Sequence, residues 1–190
     1  MELGFVTIVS GLPRSGTSMM MQALEAGGVE AVTDKVRTAD EDNPKGYYEF
    51  EPVKKTKDDA SWVDGAVGKV VKMVYMLLYD LPEGFEYRVV FMQRELTETL
   101  ASQKKMLERS GRKGAALTDE QMAGAFRKQL AKFDGWVKGK ACFKMLYVNY
   151  RDMIDEPMAT SEKISEFLGG ELDTQAMATV VDPTLYRNRK

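Results

Sequence analysis

Between residues 11 and 18 the chain reads Gly11-Leu12-Pro13-Arg14-Ser15-Gly16-Thr17-Ser18. Two glycines bracket four residues, and hydroxyls follow the second, which is the spacing of a loop that wraps a phosphate-type anion. Glycines let the backbone close around the anion. Amides at the start of a following helix point at it, and the helix dipole favours negative charge there. In nucleoside triphosphatases a lysine stands where Thr17 stands here, and threonine cannot supply its charge. Arg14 is the one cation in the loop. The loop therefore suits an anion, and suits a nucleoside triphosphate poorly. The alternative is an ordinary strand-to-helix turn that needs glycine only for its geometry.

Composition narrows the chemistry further. The 190 residues include no histidine and one cysteine, Cys142. That excludes a Ser-His-Asp triad, a Cys-His dyad and a histidine-ligated metal. It also excludes an intrachain disulfide. Any proton acceptor must be Asp, Glu, Lys or Tyr, and a carboxylate magnesium site stays open. The single thiol fits a reducing compartment, so a cytoplasmic location is expected. The net charge of −2 gives no field that would gather nucleic acid or an anionic membrane. The chain shows no apolar run of membrane-spanning length. With Glu2 and no basic opening, it does not read as starting with a signal peptide.

The elements that must position the loop follow from periodicity. Phe5 to Ser10 is a short, β-branched apolar run of the kind buried on both faces of a parallel sheet. Residues 16–26 are helix formers that stop at Gly27-Gly28. A long polar loop fills 29–50, and Pro52 suits the first turn of a helix reaching about Trp62. Strands are expected at 69–73, 87–93 and 142–148, with a short helix ending at Asp80. Further helices are expected at 97–109 and 157–168. Ser110 to Ala116 is a basic, glycine-containing loop. Thr118 and Gln121 then form a capping box ahead of an apolar stripe at Met122, Phe126, Leu130, Phe133 and Val137. This alternation predicts one α/β domain over 1–190, with a three-layer, P-loop NTPase-like fold and a central parallel β-sheet flanked by helices.

The stretch Pro13-Arg14-Ser15-Gly16-Thr17-Ser18 resembles the 5′-phosphosulfate loop of the PAPS-dependent sulfotransferase family. The resemblance implies 3′-phosphoadenosine 5′-phosphosulfate (PAPS) as donor and 3′-phosphoadenosine 5′-phosphate (PAP) as product. It assigns Arg14, Ser15, Gly16, Thr17 and Ser18 to the 5′ end, with Arg14 also acting on the leaving oxygens. The donor's 3′-phosphate calls for an arginine at a strand end and a serine eight residues on. Arg94 and Ser102 stand at that spacing. Glu95-Leu96 replaces the family's usual Asp-Pro. Met145 to Met153, Ile164 to Gly169 and Asp182 to Arg187 resemble later family segments. Arg187 and Arg189 are the only stand-ins for its Arg-Lys-Gly loop.

Many cytosolic members of the family use a histidine base, and others, including several carbohydrate sulfotransferases, use glutamate. Asn43-Pro44-Lys45-Gly46-Tyr47-Tyr48-Glu49 resembles a stretch of bacterial members, so Glu49 is the candidate base, with Asp42 second and Asp40, Glu41 and Glu51 nearby. Equally, Glu49 reads as a helix cap, and Tyr47 and Tyr48 as packing residues. Lys104, Lys105, Arg109, Arg112 and Lys113 are either a solvated face or an anion-holding cluster. The family needs no metal. The expected acceptor is a small molecule or carbohydrate bearing a hydroxyl or amine. The competing readings are a P-loop kinase and a non-catalytic nucleotide-binding module.

Overall fold

The computed structural model describes residues 4–34, 46–109, 111 and 117–182. Four strands form one sheet: β1 (Val6–Gly11), β2 (Val70–Lys72), β3 (Tyr87–Gln93) and β4 (Phe143–Asn149). Their order is β2-β1-β3-β4 and every pairing is parallel. Side chains alternate between faces along each strand. Phe5 and Val9, with Val90 and Met92, pack on one face; Val6 and Ile8, with Val89 and Phe91, pack on the other. Both faces are apolar, as a sheet covered on both sides demands.

The first face is covered by α1 (Thr17–Ala26), α4 (Tyr150–Asp155), α5 (Pro157–Leu168) and α6 (Thr174–Thr179). Met20, Leu24, Met153, Ile164 and Met177 supply its core. The second face is covered by α3 (Asp119–Lys138), through Phe133 and Val137, and by short 3-10 turns carrying Val53, Val63 and Leu78. The result is a three-layer, P-loop NTPase-like α/β fold. The capping box that opens α3 is complete: Thr118 accepts from the Gln121 amide, and Gln121 accepts from the Thr118 amide.

One stretch folds differently from its pattern. The helix expected from Pro52 to Trp62 is two 3-10 turns, Glu51–Lys55 and Ser61–Ala66. The Thr56 hydroxyl closes the first by donating to the Val53 carbonyl at 2.7 Å, and Asp59 starts the second by accepting from the Ser61 amide at 3.0 Å. Short side chains that bond locally to backbone compete with helix propagation.

The chain moves from β1 out to β2, then returns to place β3 on the opposite side of β1. The strand order therefore switches direction between β1 and β3. In open parallel sheets, ligands bind beyond the strand C-termini at such a point. α2 (Leu96–Arg109) begins there, directly after β3. Among the described residues, no helix is long and apolar enough to cross a membrane.

Candidate functional site

The loop between β1 and α1 turns on two closely packed glycines. Gly11 has φ +146°, and a Cβ there would stand 2.6 Å from both the Met92 carbonyl oxygen and Ser15 Oγ. Gly16 has φ +99°, and its Cβ would fall 2.3 Å from the Tyr150 ring. Arg14, without a glycine's freedom, sits at φ +74°. Such strain in a non-glycine residue persists only where surrounding contacts fix it, and it concentrates at functional loops.

The Ser15 amide donates to the Leu12 carbonyl at 3.1 Å, tightening the turn. Ser15 is 1% exposed, yet its hydroxyl has no protein partner. No side chain caps the N-terminus of α1. The loop thus offers first-turn amides and a buried, unpartnered hydroxyl, which together fit an oxyanion.

The second cation joins the first. Arg94 Nη1 donates to the Arg14 carbonyl at 3.3 Å, and Arg14 Nε donates to Ser102 Oγ at 3.0 Å. Arg94 Nε donates to Glu98 Oε2 at 3.0 Å, in an ion pair whose side chains are 9% and 7% exposed. The Arg94 guanidinium carbon lies 4.5 Å from the centroid of the Tyr150 ring, which supports it from below as a cation–π partner. Gln103 Nε2 donates to the Pro13 carbonyl at 2.9 Å, a further clamp from α2 onto the loop. Ser102 is buried rather than solvent-facing.

Hydrogen bonds join Arg14 to Ser102 and Arg94 to the Arg14 carbonyl, Ser15 and Arg94 line one cavity, and Gly16, Thr17 and Ser18 follow at the start of α1. The partners differ from the expected pairing in one respect. Ser102 bonds to Arg14, while Arg94 is oriented by Glu98.

Glu49 is anchored through its backbone. Its carbonyl accepts from the Asp34 amide at 3.1 Å and from the Thr33 hydroxyl at 3.0 Å, and the Glu51 amide donates to Asp34 at 2.6 Å. Nearby, Tyr47 is buried, and Lys72 Nζ lies 5.9 Å from its ring centroid. Lys72 ends β2 in register with Val9 of β1. Tyr48 adopts φ +52° and donates its hydroxyl to Glu25 of α1 at 2.5 Å. Burial, then the Glu25 hydrogen bond, push the Tyr48 phenol well above its ordinary range. Asp40, Glu41, Asp42, Arg112, Lys113, Arg187 and Arg189 lie outside the described residues.

Four contributors escaped sequence reasoning: Glu98, Gln103, Tyr150 and Lys72. Only Glu98 carried a local signal, its i, i+4 spacing from Arg94. The others act across 90 residues for Gln103 and Pro13, or across strands.

A parallel α/β sheet thus carries an anion-fitting loop and two joined arginines at its switch point. The sulfotransferase domain profile matches residues 6–190. The chain belongs to the sulfotransferase domain family, and sulfotransfer is its class of activity. Among curated proteins, no relative matches the chain. Among solved structures, an unliganded sugar kinase from Janibacter sp. HTCC2649 aligns over 86% of this chain and 95% of its own, with 12% identity and a TM-score of 0.43.

Proposed function

We propose that this protein moves a sulfuryl group from PAPS to a hydroxyl or amine on a small-molecule acceptor, by in-line displacement, and that residues 1–190 act as one domain in the cytoplasm. One observation carries the reading. Arg14 reaches Ser102 at 3.0 Å while Arg94 reaches the Arg14 carbonyl at 3.3 Å. Two arginines 80 residues apart in sequence are thus joined by a hydrogen bond, which supports a site with two cationic elements. A donor with anionic groups on both its 5′ and 3′ carbons needs two such elements together.

In this reading the Ser15 to Ser18 amides and hydroxyls bind the 5′-phosphosulfate. Arg14 neutralises charge on the oxygen that leaves with PAP. Arg94 and Ser102 grip the 3′-phosphate. Such catalysis is chiefly positioning and electrostatic stabilisation of developing charge. Arg14 is well suited to it, because strain and Ser102 fix its direction before substrate arrives. Glu49 is the proposed base and takes the acceptor's proton.

The test is transfer of radiolabelled sulfate from PAPS to a panel of phenols, aliphatic alcohols, amines and sugars. Transfer that falls at least a hundredfold in Glu49→Gln supports the whole scheme. Transfer that Glu49→Gln leaves unchanged removes Glu49 as base. Binding of PAPS with no acceptor sulfated favours a non-catalytic module.

A further inference from the structure

The two edges of the sheet are finished differently. β2 spans three residues, and the chain itself covers its outer side: Ala31 bridges to Val70, and the Val32 amide donates to the Val70 carbonyl at 2.8 Å. β4 spans seven residues and pairs with β3 along its whole length, in unbroken register. Among the described residues, no segment pairs with the outer side of β4.

One bond fixes which groups that edge presents. The Tyr87 amide donates to the Cys142 carbonyl at 2.8 Å, so the even-numbered residues of β4 turn their N–H and C=O toward β3. The odd-numbered residues turn theirs outward. The Phe143 amide is taken up by the Lys140 carbonyl at 3.2 Å. Among the described residues, nothing bonds the outward backbone groups of Met145 and Tyr147. The side chains there are also incompletely covered. None of Met145, Leu146 and Tyr147 is buried, whereas Val89 to Met92 on β3 are all 3% exposed or less. Natural proteins blunt long edges with a proline, a bulge or a charge in mid-strand. β4 has no proline and no bulge, and its one charge, Lys144, stands near its start, paired with Glu86 at 2.8 Å.

We infer that β4 pairs antiparallel with β4 of a second copy of the chain, about a two-fold axis at Leu146, so that one sheet runs through both. The edge is its own complement in that register. Outward groups must meet outward groups, which sets odd-numbered residues opposite odd-numbered ones. With Leu146 on the axis, Met145 of each chain faces the partner's Tyr147, and the two exchange both backbone bonds. Lys144 then faces the partner's Val148, so no like charges oppose each other. An axis at Lys144 would set lysine against lysine, which destabilises a cross-strand pair. Antiparallel pairing also sends the strand C-termini of the two copies to opposite ends, so neither anion loop is covered. A strand edge buries little area, which makes the dimer weak and dependent on concentration.

Sedimentation velocity of the full chain, from micromolar to submillimolar, tests the inference. The wild type is expected to pass reversibly from monomer to twice the monomer mass. Met145→Pro removes an outward N–H and leaves the ladder to β3 intact. It is expected to stay monomeric with an unchanged circular dichroism spectrum. The register has a readout that does not depend on that variant folding. In a Cys142→Ser background, Leu146→Cys sets two thiols on the axis in a non-hydrogen-bonded pair, where a Cα spacing of about 4.5 Å suits a disulfide. Mild oxidation is expected to link it, and to link Lys144→Cys, which lies off the axis, about tenfold less. A wild type that stays monomeric throughout overturns the inference. So does a dimer that persists in folded Met145→Pro, or a Leu146→Cys chain that fails to link. Equal linking of the two cysteine variants overturns the register.

Discussion

Arg14 Nε donates to Ser102 Oγ at 3.0 Å across 88 residues of sequence. This contact ties the anion loop after β1 to the helix after β3. It also fixes the direction of a guanidinium whose own backbone is strained at φ +74°. Removing the acceptor should release that direction. Ser102→Ala should therefore weaken PAP by about 1.5–3 kcal/mol, the worth of a hydrogen bond to a charged group. That is roughly ten- to a hundredfold in Kd. Calorimetric titration checks it, and because the bond is already made without ligand, a thermal melt should show a lowered melting temperature as well.

Arg94 and Glu98 bear more heavily on stability. Their side chains are 9% and 7% exposed, so removing one leaves a nearly buried charge unpaired. Glu98→Ala should destabilise the chain by about 3–5 kcal/mol, the usual cost of breaking a buried pair. Replacing both, as Arg94→Met with Glu98→Leu, should restore most of that stability and still abolish PAP binding. Urea denaturation of the single and double variants separates the two effects.

Much of this site was legible in sequence because its elements are punctuated locally. The run Tyr87 to Gln93 is a strand from end to end, and Thr118 with Gln121 caps α3 as its spacing demands. The loop from Gly11 to Ser18 and the residues Arg94 and Ser102 also stood out by type and spacing. What stayed hidden depends on contacts distant in sequence. Nothing near Tyr150 signals that its ring supports Arg94 and abuts Gly16. Ser102 meets Arg14 rather than Arg94, because α2 turns that face toward the loop. The 3-10 turns around Thr56 and Asp59 are a subtler miss. Their residues have adequate helix propensity, and local hydroxyl and carboxylate bonds to backbone win instead.

Gly16 is tested by adding one methyl group. Gly16→Ala would place a Cβ 2.3 Å from the Tyr150 ring at φ +99°. A left-handed alanine alone costs about 1–2 kcal/mol. The clash adds to it, so the variant should lose more than about 2 kcal/mol of stability and most affinity for PAP. Adding Tyr150→Ala should recover stability only in part, because the backbone strain remains. Urea midpoints of the three proteins give the comparison.

Alkaline pH should unfold the protein through its phenols. Tyr48, Tyr75, Tyr79, Tyr87 and Tyr147 are all raised above their ordinary value of 10.0, in each case chiefly by burial. A group whose folded value is raised contributes stability that is fully present below its unfolded value. That stability is lost as pH climbs from there toward the folded value. Stability should therefore fall above about pH 10, and Tyr48→Phe should flatten part of the decline. Phenolate absorbance followed with circular dichroism checks that these tyrosines ionise together with unfolding.

The central claim is that one cleft holds both anionic ends of a 3′,5′-substituted adenosine. Isothermal titration of the wild type with PAP and with adenosine 5′-monophosphate tests it most directly, repeated on Arg94→Met. The account predicts that PAP binds at least a hundredfold more tightly than the monophosphate, and that Arg94→Met erases the difference. Equal affinity for the two nucleotides, or no PAP binding at millimolar ligand, would contradict it.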